Sequence, residues 1–172
     1  ATVTWETKTP MPTARWRLQA DVVNGKIYLI SGSDAKSNLL KVNEVYDPAT
    51  DSWTTKAPIP IGANLYASAV VDNKIYVIGA LNRTQIYNPE TDKWSFGAQA
   101  PSFTEHGAAG VTTGALAPKR IYVMGVTKPI AFGDPPPCLT QVYNPASDSW
   151  AAGATMPTNR VNFGVAVVND TL

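Results

Sequence analysis

The sequence predicts an all-β protein built from repeated four-stranded antiparallel sheets. A motif that starts with Tyr and ends with Trp occurs three times with the same internal spacing, at Tyr46–Trp53, Tyr87–Trp94 and Tyr143–Trp150. Each copy follows short runs rich in β-branched and aromatic residues, which are typical of β-strands. The tryptophans of the motif are 41 and then 56 residues apart, so insertions lie in loops outside it. Self-similarity at such a period indicates a repeat architecture.

The first two strands of each unit are predicted to form a β-hairpin. Ala20–Ile30 aligns without gaps with Ser68–Ile78, and the two runs in each stretch are separated by Asn24-Gly25 or Asp72-Asn73. These residue types tolerate the positive φ of a type I′ turn. The third unit keeps the second strand, Arg120–Met124, but reaches it through a longer connection.

The Tyr-to-Trp motif supplies the third and fourth strands. In the second unit, a strand around Gln85–Tyr87 turns through Asn88-Pro89 into a strand that carries Trp94. Proline fits the second position of a type I turn, where its fixed φ helps and its missing N–H costs nothing. A small sheet with two apolar faces cannot bury both alone, so like sheets must stack on each other. Radial stacking gives a β-propeller, present here as about three blades plus parts of two others.

The chain divides into successive units of this kind. We expect units at residues 11–56, 57–97 and 98–153, an incomplete unit at 154–172, and in residues 1–10 the outer strand of a closing blade. An open stack leaves two apolar faces bare, each forfeiting about 12 kcal/mol if a face measures roughly 500 Å². That loss rivals the stability of a whole domain, about 5 to 15 kcal/mol. We therefore expect a fragment of a longer propeller, with the missing blades supplied by the rest of the chain or by another copy.

The composition argues against several classes of partner. Lys and Arg number 14 against 13 Asp and Glu, a net charge of +1, and only 16% of residues are charged. Binding to nucleic acid depends on clustered excess cations, so we expect no nucleic-acid partner. No run approaches the 18 or so apolar residues that span a bilayer, and we expect no membrane insertion. A single Cys138 and a single His106 supply few metal ligands, and we expect neither a metal nor another cofactor.

Taken together, these features resemble the kelch repeat. The resemblance lies in the late-strand Tyr and Trp, in a glycine just after the second strand, and in Met11–Arg15 and Met156–Arg160, which are similar to the kelch loop that leads into the first strand. It covers essentially the whole chain, although the paired glycines usual in kelch repeats are single here. The resemblance implies a closed ring of five to seven blades around a central channel.

Residues at the start of each first strand are the main candidates for ligand contact. Arg15 and Arg160 are at equivalent positions, Asn64 lies close to that position in the second unit, and His106 lies close to it in the third. The resemblance implies that polar residues here line the channel entrance. Arginine there could bind a carboxylate bidentately, which favours an acidic or carbonyl-rich ligand. Alternatively, each arginine binds loop carbonyls of its neighbouring blade.

Aromatic residues outside the repeat pattern give two further candidates. The repeated Tyr and Trp are expected in the core, because each recurs once per unit at a fixed spacing. Trp16 escapes this pattern and is a candidate contact residue. Phe132 lies in the long Val126–Leu139 insertion, which three consecutive prolines stiffen. This insertion is either a binding loop or a packing lid over the ring surface.

Two glycosylation sequons bear on the compartment, Asn82-Arg83-Thr84 and Asn169-Asp170-Thr171. Asn169 is predicted to lie in a tight hairpin turn, so Asn82 is the candidate acceptor if the protein is secreted. The low charge and the two sequons favour an extracellular or cell-surface location over the cytoplasm.

Two classes of function remain open. No constellation of nucleophile, base and orienting group is evident, so the sequence favours a non-catalytic module that binds a protein or peptide, or that serves as a cell-surface structural element. The alternative is a carbohydrate-binding or carbohydrate-active propeller, because kelch rings also occur in copper oxidases of sugars and in sialic acid epimerases. In that case the active residues would lie partly on blades absent from this chain.

Overall fold

The computed structural model describes residues 3–102, 105–126, 138–158, 160 and 162–172. It contains three four-stranded antiparallel sheets, each made of consecutive strands in chain order. The first sheet comprises β1 (Gln19–Val23), β2 (Lys26–Ile30), β3 (Asn43–Asp47) and β4 (Ser52–Thr55); the second β5 (Ala67–Val71), β6 (Lys74–Ile78), β7 (Thr84–Asn88) and β8 (Lys93–Gly97); the third β9 (Glu105–Thr112), β10 (Arg120–Val126), β11 (Cys138–Asn144) and β12 (Ser149–Ala152). A 3₁₀ turn, Ala80–Asn82, precedes β7. The predicted all-β fold of four-stranded blades is confirmed.

The turns have the conformation that the sequence predicts. Asn24 and Gly25 have φ values of 50° and 74°, and Asp72 and Asn73 have values of 49° and 58°. Two successive positive φ angles define the type I′ turn, whose twist matches that of the flanking strands. In the motif, Tyr87 lies directly opposite Trp94 across the β7–β8 pair, and the same pairing recurs in the first and third sheets.

The sheets stack face to face, with the inner strands β1, β5 and β9 in contact one after the other. Alternation along β6 sends side chains to both neighbours, because successive residues of a strand point to opposite faces. Ile75 and Val77 are fully buried against the first sheet, while Tyr76 and Ile78 pack against the third. The middle blade thus has a hydrophobic core on each face.

Adjacent blades are also joined by a repeated polar contact, which we call the Tyr-Asp-Trp bracket. In the second unit the Tyr87 hydroxyl donates to Asp92 Oδ1 at 2.6 Å. The same oxygen accepts the N–H of Ala57, in the loop that leaves the first blade, at 2.8 Å. Trp94 Nε1 donates to the carbonyl of Ala57 at 2.9 Å. Tyr143, Asp148 and Trp150 bind Ala98 in the same way.

The first blade forms this bracket with the N-terminal segment. Asp51 Oδ1 accepts the N–H of Thr9 at 2.8 Å, and Trp53 Nε1 donates to the carbonyl of Thr9 at 2.9 Å. Thr9 therefore has the place that Ala57 and Ala98 have in the following blades. Residues 3–10 contribute no strand to the described sheets, so their assignment to the outer strand of a closing blade stays a prediction.

Residues 162–172 pack on the outward face of the third sheet. A Cβ added at Gly110 of β9 would meet Val167 Cγ2 and Leu172 Cδ2 within 3 Å, which shows how closely the fourth unit approaches. A turn with positive φ at Asn169 and Asp170 is closed by a bridge between Val168 and Thr171. The fourth hairpin turn expected from the sequence is thus present.

Candidate functional site

Four equivalent residues near the start of the inner strands have left-handed backbone conformations. Arg17, Leu65, His106 and Asn162 have φ values of 59°, 53°, 52° and 55°. Such values are uncommon for residues other than glycine, because Cβ approaches the carbonyl oxygen. Recurrence at one position of four successive units indicates that tertiary contacts hold this conformation.

Those contacts are backbone hydrogen bonds between successive units. The N–H of Leu65 donates to the carbonyl of Arg17 at 3.1 Å, the N–H of His106 to the carbonyl of Leu65 at 3.0 Å, and the N–H of Asn162 to the carbonyl of His106 at 3.3 Å. One bond thus repeats three times across the inner ends of the blades. We call these four residues the inner-strand arc. It fixes the spacing of the side chains displayed beside the ring axis.

A cleft of about 360 Å³ opens along this arc. It is lined by residues of the first, second, third and fourth units, among them Gln19, Leu65, His106, Asn162 and Phe163. His106 Nδ1 lies 2.8 Å from Asn162 Oδ1. With that oxygen as acceptor, Nδ1 donates the hydrogen bond. The cleft therefore offers both donors and acceptors beside an apolar side chain.

At the first unit, the arc carries a cation beside an aromatic ring. The Arg17 guanidinium carbon lies 3.9 Å from the centroid of the Trp16 ring, within the range of a cation–π interaction. Trp16 Nε1 donates to the carbonyl of Asp34 at 3.0 Å, which fixes the ring on the loop after β2. Trp16 is 46% exposed, so the pair presents a positively charged, partly aromatic surface.

Arg15 is bound within its own blade. Its side chain is 0% exposed and forms an ion pair with Glu44, which is 4% exposed. The guanidinium also donates to the carbonyls of Thr13 and Leu29 at 2.9 and 2.8 Å. This agrees in part with the alternative that the arginine binds loop carbonyls, but both carbonyls belong to the same blade, and that of Leu29 lies on β2. A ligand contact by Arg15 stays a prediction, and its burial opposes it.

The other blades hold the equivalent loop with glutamine instead of an ion pair. Gln85 Oε1 accepts the N–H of Ile61 and its Nε2 donates to the carbonyl of Ile61, both at 2.9 Å. Gln141 binds Ser102 in the same two-way manner. Glu44 occupies the same position two residues before the motif Tyr, but a carboxylate cannot donate to a carbonyl. Arg15 supplies the missing donor.

The remaining candidates lie at different distances from the cleft. Asn64 is equivalent to Trp16, not to His106, and its Nδ2 donates to Ser33 Oγ of the first unit at 2.9 Å. Arg160 is exposed two residues before Asn162. Phe132 and most of its insertion lie outside the described residues. Asn82 lies in the 3₁₀ turn before β7, and its glycosylation stays a prediction.

The candidates predicted from the repeat, Arg15, Trp16, Asn64, His106 and Arg160, thus lie within two residues of the arc or in it, whereas Arg17, Leu65 and Asn162 were not among them. The signal was available for these three, because each lies seven residues before its hairpin turn; the equivalence of His106 comes from the register of β9 and β10. Their residue types differ, so composition does not mark them.

A buried carboxyl group lies beneath the arc on β1. Asp21 is 8% exposed, and one of its oxygens, Oδ2, has no hydrogen-bond partner. Ser68 Oγ of the second blade donates to the other oxygen at 3.1 Å. Burial raises the pKa of Asp21 to about 6, and the hydrogen bond from Ser68 lowers it in part. The group titrates near neutrality, between the first two blades.

Two negative findings apply to the described part of the chain. No group of three or more His, Cys, Asp or Glu side chains there is placed to hold a metal ion. None of its helical segments is long and apolar enough to cross a membrane.

Comparison with known proteins agrees with this architecture. Two family models, each described as Kelch motif, match residues 18–60 and 65–101. No curated protein matches the sequence. The solved structure described as "Structure of YjhT" superposes with a TM-score of 0.73 at 16% identity, over 90% of this chain and 56% of that one. The chain thus spans little more than half the length of that structure, and the likeness concerns the fold. With three stacked four-stranded blades and two matching motifs, the chain belongs to the kelch-repeat family of β-propellers.

Proposed function

We propose that this chain is a non-catalytic interaction module that binds an acidic or carbonyl-rich segment of a protein or peptide at the inner-strand arc. The observation that carries the proposal is the repeated backbone bond that joins Arg17, Leu65, His106 and Asn162. It fixes the spacing of these four residues, of which Leu65, His106 and Asn162 line the cleft. A preorganised row of side chains reduces the entropy lost on binding.

The chemistry of the row supports an acidic or carbonyl-rich partner. The Arg17 guanidinium lies on the exposed Trp16, and arginine binds carboxylates with planar, paired hydrogen bonds. Gln19, His106 and Asn162 line the adjoining cleft and can pair with the polar groups of an extended backbone. The acidic Glu44 side chain, by contrast, is paired with Arg15 within the blade.

Arg17→Ala tests the proposal. A library of fluorescent peptides, in which each acidic peptide is matched by a version with Gln and Asn in place of Glu and Asp, is screened by polarisation. We expect the acidic peptides to be preferred and Arg17→Ala to weaken their binding at least about tenfold, the effect of losing one charge-assisted hydrogen bond. Arg120→Ala is the matched control, because Arg120 begins β10 at the opposite end of the blade. Equal affinity in the two variants would contradict the proposal.

Carbohydrate binding is the second candidate, and the exposure of Trp16 is the observation that favours it. An exposed indole can stack on a sugar ring, and Trp16, next to Arg17 of the arc, is 46% exposed. If this candidate is correct, an oligosaccharide array gives hits that Trp16→Ala abolishes and Trp5→Ala preserves. Trp5 is a suitable control because it is 96% exposed and is not part of the inner-strand arc.

A further inference from the structure

The loop between β9 and β10 directs a set of backbone N–H groups at a single carboxylate. Asp170 Oδ2 accepts the N–H groups of Ala115, Leu116 and Ala117 at 3.0, 2.8 and 3.1 Å. Its Oδ1 accepts both the N–H and the hydroxyl of Thr113, at 2.6 and 2.9 Å. Five donors thus converge on one side chain that lies more than fifty residues further along the chain. Successive N–H groups pointing inwards form an anion-binding concavity.

Hydrogen bonds at the base of this loop stabilise its conformation. The buried Thr112 hydroxyl accepts the N–H of Arg120 at 3.0 Å and donates to the carbonyl of Pro118, which closes the base of the loop. Gly114 has a φ of 93°, a conformation that favours glycine. These contacts belong to the third blade alone, so the N–H groups are preorganised independently of Asp170.

Asp170 lies in the hairpin turn of the fourth unit, but the conformation of this turn does not require a carboxylate. Asp170 has a φ of 56°, and the equivalent turn positions in the first and second units are Gly25 and Asn73, also with positive φ. A carboxylate at this position is therefore specific to the fourth unit. The N–H groups of the loop, that of Thr113 first, lower the pKa of Asp170, as expected for a carboxylate held by several donors.

We propose that the loop of residues 113–117 is an oxyanion-binding site whose resident ligand is the Asp170 carboxylate, and that this contact docks the fourth unit on the third blade. The same loop reaches the other neighbour, since Lys119 Nζ lies 2.7 Å from Asp72 Oδ1 in the turn of the second unit. The loop therefore ties together the hairpin turns of three successive units. When Asp170 is absent, the site binds a small free carboxylate.

Asp170→Gly tests this by emptying the site without disturbing the turn, because it recreates the Asn-Gly turn of the first unit. Amide hydrogen exchange is measured by NMR with sodium formate and with sodium chloride at equal ionic strength. In the variant, the amides of Thr113, Ala115, Leu116 and Ala117 are expected to exchange at least about tenfold faster, the effect of losing charge-assisted hydrogen bonds. Formate is expected to slow them again in the variant and to have no effect on the wild type.

Asp34→Ala is the matched control. Asp34 accepts N–H groups of Lys36 and Asn38 within its own loop, so its loss should leave residues 113–117 unchanged. The indole signal of Trp150 reports whether the third blade remains folded, and Asp170→Asn provides a second variant that keeps the side-chain volume. Unchanged exchange of the four amides after loss of Asp170, or exchange that formate does not slow, would overturn the proposal.

Discussion

Asp21 stands at the position where the second unit has Ala69, and this difference makes the stability of the first blade pair depend on pH. The folded-state pKa of about 6 lies above the usual value of about 3.9. The fold therefore retains a proton that the unfolded chain releases, so the contribution of Asp21 to stability is most favourable below about pH 4. It is lost as the pH rises through 6.

We expect Asp21→Asn to remove this loss. The stability of the variant relative to the wild type should increase by about 2 to 3 kcal/mol between pH 4 and pH 8, the free energy that corresponds to the pKa difference. Urea unfolding followed by tryptophan fluorescence at several pH values measures it. Asp47→Asn is the control: hydrogen bonding to Lys26 lowers the pKa of Asp47, so its effect should have the opposite sign and be confined to acidic pH. A relative stability that is the same at pH 4 and pH 8 would exclude this role of Asp21.

Arg15 and Glu44 form a buried ion pair. A double-mutant cycle can measure its contribution to stability, independently of any ligand binding. Arg15→Ala alone leaves a buried, unpaired Glu44 and should cost about 3 to 5 kcal/mol. Arg15→Ala combined with Glu44→Gln recreates the arrangement of Ala63 and Gln85 in the second blade. We expect the double variant to regain stability to within about 1 kcal/mol of the wild type. Equal destabilisation of the single and double variants would show that Gln cannot hold this loop.

These two cases show why the sequence predicted a candidate region but not the contacts that its residues make. Counting from the hairpin turns puts Arg15 and Arg160 at one repeat position, and that equivalence favoured a shared ligand contact. However, Arg15 is paired with Glu44, which lies twenty-nine positions away in a strand whose sequence predicts burial. Likewise, the left-handed conformation of Leu65 depends on a bond to another blade, and the residue type gives no sign of it.

At the scale of elements, the repeated motif encodes both a hairpin and the joint between blades. The sequence predicts the turn and the strands, because Pro, Asn and Asp have local preferences there. The bracket was not predicted, because its partner, a backbone peptide such as that of Ala57, has no side-chain signature. Tyr, Asp and Trp therefore recur with fixed spacing because they form hydrogen bonds between blades as well as apolar contacts in the core.

Tyr87→Phe tests the bracket. Tyr87 is 0% exposed, and its hydroxyl donates to Asp92, so removing the hydroxyl should cost about 1 to 2 kcal/mol through the lost bond. Chemical denaturation measures the free energy of unfolding. Tyr122→Phe in β10 is the control, because no aspartate follows Tyr122 five residues later and little change is expected. A similar cost in both variants would show that the aspartate is not the reason for the effect.

At the scale of the whole molecule, one face of the first blade lacks a neighbouring sheet in the described chain. Asp21 and Val23 point towards the second blade, so the alternation of the strand turns Val22 the other way, where it is 60% exposed. Thr9 satisfies the polar groups of Asp51 and Trp53 on this side, as Ala57 and Ala98 do elsewhere. The face therefore has the same bracket as a covered blade face, and we propose that a further blade covers it.

The proposal predicts that the 172-residue chain alone does not persist as a monomer of 18.4 kDa. Bare apolar sheet faces favour association, because each buried Å² contributes about 25 cal/mol. Sedimentation at increasing concentration should show a larger mass, and Val22→Lys should shift the distribution towards the monomer by placing a charge on the bare face. Leu116→Lys is the matched control, since Leu116 is 77% exposed in the loop between β9 and β10, and it should leave the association unchanged. A stable monomer at all concentrations would mean that three blades suffice, and that the first blade face needs no neighbour.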